Sequence, residues 1–305
     1  MVRVVRAQMP YEAVLDAPDD GGMSKHITVG YDTSPEASEA LEWAAHESEA
    51  RGCVLSIVSC YRLPVAGDIQ TGWIPTEAYS DLAQTVNAQA ESAASRMQEV
   101  HPMLEIERHV VAGSAATALI EDEASGQELI VVGASSHKGA SAFWLGSTPR
   151  GLVRHAACPV VVVRGVTGRP DRVVVAVDGS EGAQRAIDWA LAEADLHDVP
   201  VTVVHAWEYA YALPDGPDSQ ARDLTQVDAA RVLDAAVEYV RERARVAVEG
   251  KLLEGSPASA VLEVVVDGDL LVMGSRGRGA LRAGLFGSTV NSVLDRAAVP
   301  VAVVR

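Results

Sequence analysis

The chain repeats itself. The segment HITVGYDTSPEASEALEWA at 26–44 aligns with RVVVAVDGSEGAQRAIDWA at 172–190, matching Asp32 to Asp178 and Trp43 to Trp189 at a spacing of 146 residues. Further on, LIVVGASSHKGASAFWLGST at 129–148 aligns with LLVMGSRGRGALRAGLFGST at 270–289, and CPVVVVR at 158–164 with VPVAVVR at 299–305, now at a spacing of 141. The drift is a net deletion in the second copy. A unit of about 140 residues is the size of a domain and much longer than a solenoid repeat. A chain of 305 residues therefore divides into two domains. Their expected extents are 25–165 and 170–305, joined by the turn-rich GVTGRP at 165–170. Residues 1–24 read as a disordered tail. They hold two arginines before Gly22 and no long apolar stretch, which argues against a secretory signal. Met23 stands directly before the first clean strand and is an alternative start.

Each copy reads as βαβαβαβαβ. In the first, strands are expected at 26–31, 53–60, 105–112, 129–133 and 159–164. Helices are expected from Ser34, with Ser34 as N-cap and Pro35 in the first turn, then at 77–99, at 115–125, and from the end of the Gly/Ser-rich loop 134–146 to about 157. The second copy places strands near 172–177, 200–206, 245–253, 269–273 and 300–304. Continuous apolar strands such as Val173–Val177 and Val160–Val163 belong to a sheet covered on both faces. Strands of that kind alternating with helices make an α/β fold: two tandem, doubly wound domains, each with a parallel sheet.

Such sheets bind ligands outside the carboxyl ends of their strands, where the strand order reverses. Two features fall there. Asp32 and Asp178 end strand one of each copy. Gly274-Ser275-Arg276-Gly277 leaves strand four of the second copy, and Gly287-Ser288-Thr289 opens the following helix. Glycine lets backbone N–H groups approach phosphate closely, and a helix start with open N–H groups attracts an anion. Each part has an ordinary reading too. An Asp after a strand makes turns, Gly274 and Gly277 serve as turn glycines, and Ser288 and Thr289 cap helices. Arg276 and Arg278, and His137 and Lys138 in the first copy, are cations that reach either phosphate or solvent. The loop is not a Walker A loop, since no Lys precedes the Ser/Thr, and it follows the wrong strand for a dinucleotide fingerprint.

Taken together, these elements resemble universal stress protein domains, and the chain from about 25 to 305 is similar to the tandem two-domain class of that family. The family's ATP-binding motif, Gly-x2-Gly-x9-Gly-(Ser/Thr), is complete in the second copy at Gly274, Gly277, Gly287 and Ser288, followed by Thr289. The first copy has Gly133, then Ser136 in place of the second glycine, then Gly146, Ser147 and Thr148. The resemblance implies ATP as ligand, with Asp178 and Asp32 near the adenine. It implies strand order 3-2-1-4-5 in each five-stranded sheet, helices on both faces, and pairing of the domains through their fifth strands at 159–164 and 300–304. It also implies that the turns Gly113-Ser114-Ala115 and Gly255-Ser256-Pro257 lie near the ribose or phosphates, or else cap the next helix. Serine resists positive φ, so the first site is expected to be weakened relative to the second.

The remaining features bound the function. A net charge of −17 repels nucleic acid and anionic membrane, so a phosphate ligand must be held by local donors. No apolar run approaches the ~20 residues of a membrane span. Cys53, Cys60 and Cys158 show neither disulfide nor zinc spacing and suit a cytoplasmic protein. No nucleophile elbow and no metal-spaced histidine pair is present, and His46, His155, His197 and His205 read as structural. Mg²⁺ is an optional bridge between bound phosphates, though no carboxylate is clearly placed for it. The leading expectation is an ATP-binding regulatory or stress-adaptation protein in which nucleotide sets conformation or affinity for a protein partner or a second copy of the chain. The alternatives are an interaction module of the same family that binds no nucleotide, and a slow ATPase.

Overall fold

A computed structural model describes residues 3–4, 25–62, 76–121, 126–134, 145–165, 168–208, 219–277 and 287–305. The first copy contains β2 (His26–Gly30), α1 (Pro35–Arg51), β3 (Val54–Tyr61), α2 (Thr76–Val100), β4 (Ile106–Ala112), α3 (Ala115–Glu121), β5 (Gln127–Gly133), α4 (Ser147–His155) and β6 (Val160–Val163). The second contains β7 (Arg172–Val177), α5 (Glu181–His197), β8 (Val201–Trp207), α6 (Ser219–Arg241), β9 (Val248–Glu254), α7 (Pro257–Val264), β10 (Asp269–Gly274), α8 (Ser288–Arg296) and β11 (Val301–Val304). A further two-residue strand, β1 (Arg3–Val4), pairs with β4 through Arg3↔Glu107 and Val4↔Arg108. Part of the segment expected as a tail without regular structure is therefore a strand; residues 1–2 and 5–24 lie outside the described residues.

Local chemistry explains the helix limits. Ser34 and Ser180 cap α1 and α5 by accepting from the N–H groups of Ala37 (3.1 Å) and Ala183 (3.2 Å). The two helices end on left-handed residues, Gly52 in one copy and Asp198 in the other. The β6 and β11 strands are buried along their whole length, as a parallel sheet covered on both faces demands. Apolar side chains pack in one layer beneath α1, α2, α5 and α6 and in another beneath α3, α4, α7 and α8.

Among the described residues, eleven strands form one sheet, in the order β1-β4-β3-β2-β5-β6-β11-β10-β7-β8-β9. Within each copy the order of the five repeat strands is 3-2-1-4-5, and every pairing is parallel. The copies join where the implied fifth-strand contact falls: β6 and β11 pair antiparallel, Val160 to Val303 and Val162 to Val301. The last arginine of each copy crosses this junction. Arg164 Nη1 donates to the carbonyls of Asp295 (3.3 Å) and Ala297 (3.0 Å), and Arg305 donates to those of Arg154 (2.8 Å) and Ala156 (2.6 Å). Each guanidinium thus serves the carbonyl end of the other copy's last helix, where a cation is favoured. Among the described residues, no helix is long and apolar enough to cross a membrane.

Candidate functional site

Strand order creates the crevice. β2 lies between β3 and β5, and β7 between β8 and β10, so the strand order reverses beside each first strand. In the first copy, β2 delivers Asp32 and β5 delivers Gly133 to neighbouring columns, with Val29 opposite Val131. In the second, Ala176 stands opposite Met273, which brings Asp178 beside Gly274.

Both aspartates engage the turn that starts the next helix. Asp32 Oδ1 accepts from the N–H (3.1 Å) and hydroxyl (2.5 Å) of Ser34; Asp178 Oδ1 accepts from the N–H of Ser180 (3.0 Å). Asp32 is exposed and Asp178 half-buried. In the second copy the loop after strand four comes close to Asp178 and the start of α5. A β-carbon on Gly277 would collide with Asp178 Oδ2, and one on Gly182 would sit 2.5 Å from the Arg276 carbonyl oxygen. Ser180 Oγ also donates to that carbonyl at 3.4 Å. The second copy's loop therefore lies directly on the start of α5. Ser136, His137, Lys138 and Arg278 lie outside the described residues.

Gly133 and Gly274 also have a packing role, alongside the phosphate cradle that the motif implies. A β-carbon on Gly133 would meet the Glu36 carbonyl group at 2.5 Å, and one on Gly274 the Gly182 carbonyl group at 2.6 Å. These glycines let the first turn of α1 or α5 close against strand four.

The helices that follow the motif loops begin unlike α1 and α5. Gly146 and Gly287 occupy the N-cap positions of α4 and α8, and neither offers a side-chain cap. Ser147 and Ser288 fall on the first helical residue and are exposed, with Thr148 and Thr289 beside them half-buried. The first-turn N–H groups of α4 and α8 thus lack the hydroxyl partner that Ser34 and Ser180 give α1 and α5.

A cavity of about 100 Å³ opens here in the first copy, lined by Asp32, Gly133, Gly146, Ser147 and Thr148 together with Tyr31, Ser34, Glu36, Cys60 and Ala115. The loop 135–144 is outside the described residues. The turn at Gly113 and its equivalent at Gly255 take left-handed φ, +144° and +136°, and donate to the carbonyls of Tyr61 and Trp207 (2.9 Å each). Ser256 takes the N-cap position of α7 without making a side-chain cap. Burial pushes the Cys60 thiol up, to about 11, so it is protonated at neutral pH and a poor nucleophile.

Sequence reading missed Glu36, Cys60 and the role of Gly182. The signal was present: aligning the copies puts Glu36 opposite Gly182, a side chain where the other copy has none.

Comparison with known proteins agrees with this architecture. A sequence model of the universal stress protein family matches residues 23–164 and again 170–305. A universal stress protein of Mycobacterium tuberculosis is 31% identical over 298 residues, covering 93% of this chain and 98% of that protein. One of Mycolicibacterium smegmatis is 28% identical, covering 92% and 96%. A crystal structure of a universal stress protein from Archaeoglobus fulgidus shares the fold at a TM-score of 0.65 with 22% identity, covering 92% of this chain and 98% of that one. The chain belongs to the universal stress protein family, as two family domains in tandem.

Proposed function

We propose that this is an ATP-binding regulatory protein of stress adaptation, in which bound nucleotide acts as a conformational ligand and is not consumed as a substrate. One observation carries the reading: α4 and α8 start without side-chain caps at the carboxyl edge of the sheet, whereas α1 and α5 are capped by serine. Open first-turn donors on a glycine N-cap suit an anion, and they face the crevice beside Asp32 or Asp178. In the second copy Gly277, Gly287, Ser288 and Thr289 would hold the phosphates and Asp178 would border the base, with Gly274 fixing the helix that shapes the crevice. In the first copy Asp32, Gly133, Gly146, Ser147 and Thr148 would form the weaker counterpart. A Mg²⁺ ion would enter with the phosphates, which together with retained waters would supply its ligands. Nucleotide occupancy would set affinity for a protein partner, or for a second copy of the chain, in the cytoplasm.

The test is direct. Purified protein is denatured and the released small molecules identified by mass spectrometry, and stripped protein is titrated with ATP by calorimetry. Adenine nucleotide in the release and saturable binding are expected. Their joint absence sinks the reading in favour of a nucleotide-independent interaction module. Phosphate released at a steady rate, and lost in Gly277→Ala, would make it a slow ATPase instead.

A further inference from the structure

The antiparallel junction lays α1 against α5, and with them a second constellation. Glu47 and Arg51 stand one turn apart on α1; Glu193 and His197 stand one turn apart on α5 at the equivalent repeat positions. Arg51 spans the two carboxylates, donating from Nε to Glu47 Oε1 and from Nη2 to Glu193 Oε2. The other two oxygens are left facing one imidazole nitrogen: Glu47 Oε2 lies 2.9 Å and Glu193 Oε1 3.4 Å from His197 Nε2. One donor atom from each of Glu47, Glu193 and His197 falls within 4.8 Å of the others. Their side chains are 3%, 0% and 8% exposed.

Glu193 Oε1 makes no hydrogen bond among the described residues, although it is buried. Its near partner is His197 Nε2 at 3.4 Å, so a buried carboxylate oxygen is held by an ion pair without a well-formed hydrogen bond, an under-satisfied position that a ligand would complete. A cavity of about 230 Å³ between Trp43, His46, Gly168 and Arg169 reaches Glu47 and His197 and supplies an entry path.

We infer that Glu47, Glu193 and His197 form a site for a divalent transition-metal ion, Zn²⁺ being the ion whose chemistry it suits. One imidazole nitrogen and two carboxylate oxygens make a mixed set that Zn²⁺ accepts, with solvent from the cavity filling the open position. Mg²⁺ and Ca²⁺ prefer all-oxygen surroundings and are disfavoured by the imidazole. Arg51 is the outer partner that holds the second oxygen of each carboxylate and fixes its direction. The ion takes the place of the proton that otherwise lets His197 bridge the carboxylates, and that proton leaves to solvent. Because Glu47 belongs to one copy and Glu193 and His197 to the other, the ion joins the two domains.

The test uses the full chain, stripped with a chelator. Zn²⁺ is titrated by calorimetry, and Co²⁺ is followed by visible absorption as a reporter of nitrogen and oxygen ligation. One Zn²⁺ per chain is expected, together with a raised unfolding temperature. His197→Gln and the near-isosteric Glu193→Gln should each weaken binding about tenfold or more and remove the Co²⁺ bands. His101→Gln is the control. It alters the separate His46–Glu49–His101 group, two of whose members are exposed, and should change neither readout. Absence of saturable Zn²⁺ binding overturns the proposal, as does binding that His101→Gln abolishes and Glu193→Gln retains. Should His197→Gln fail to fold, Glu193→Gln decides.

Discussion

The two crevices are built on the same plan and differ at the same kind of position. Where the second copy has Gly179, Gly182 and Gly277, the first has Thr33, Glu36 and Ser136. The difference is geometric. Gly179 takes φ +75°, and Thr33 takes φ +67° at the equivalent place, a conformation that a β-branched residue adopts only under strain. Gly182 admits the Arg276 carbonyl where Glu36 carries a side chain that lines the first cavity. Gly277 rests on Asp178 without room for a β-carbon. The glycines that let strand four meet the helix, Gly133 and Gly274, are kept in both. Duplication thus preserved the packing of the crevice and let its lining diverge.

Four measurements break or sharpen this comparison. The largest effect is expected at the junction, where the copies have exchanged an arginine for a histidine. Arg51→Ala leaves two buried carboxylates with His197 as their one remaining cation, and urea unfolding should show a loss of about 3 kcal/mol. A loss below about 1 kcal/mol would mean that Glu193, whose pKa burial raises to about 7, takes up a proton and leaves His197 to pair with Glu47. Next come the shared packing glycines. Gly133→Ala and Gly274→Ala each push a β-carbon into helix backbone and should each cost about 2 kcal/mol in the same assay. A cost confined to one of them would end the equivalence of the two crevices.

Third is nucleotide affinity. Gly277→Ala or Asp178→Ala should lower ATP affinity about tenfold or more, some 1.4 kcal/mol, and Asp32→Ala clearly less. Equal losses by calorimetry would refute the ranking of the sites. The smallest effect is strain. Thr33→Gly should stabilise the chain by roughly 0.5–1 kcal/mol, because relief of the left-handed conformation exceeds the entropy that glycine adds to the unfolded chain. Gly179→Thr should cost a similar amount. Thermal denaturation reads both, and a destabilised Thr33→Gly contradicts the argument.

Most of the fold was legible because duplication presents each signal twice. Asp32 with Asp178, and the valine runs before Arg164 and Arg305, fix the strands on sight, and alternation with helices fixes a parallel sheet. The motif likewise marks Gly146-Ser147 and Gly287-Ser288 as helix starts. Less could be read where meaning depends on a distant partner. Gly133 reads as a phosphate glycine, and its packing against the Glu36 backbone shows only in the fold. Glu47 and Arg51, four residues apart on one helix, look like an ordinary solvated pair. They become a buried cluster only when β6 pairs with β11 and turns α5 towards them. His197, read as structural, belongs to that cluster. The sequence carried one clue, a glutamate recurring at 47 and 193, but nothing local said that both were inside.

The junction also fixes what the molecule can do with its own edges. A single domain of this kind has an unpaired fifth strand through which it can recruit a twin. Here β6 and β11 satisfy each other within one polypeptide, so that valence is closed. Of the two outer strands, β1 is two residues long and pairs alongside β4, and β9 carries Glu249, Lys251 and Glu254, charges of the sort that discourage strand addition. Covalent linkage has turned a concentration-dependent pairing into a fixed one: the stoichiometry of the two halves is always one to one, however dilute the protein becomes.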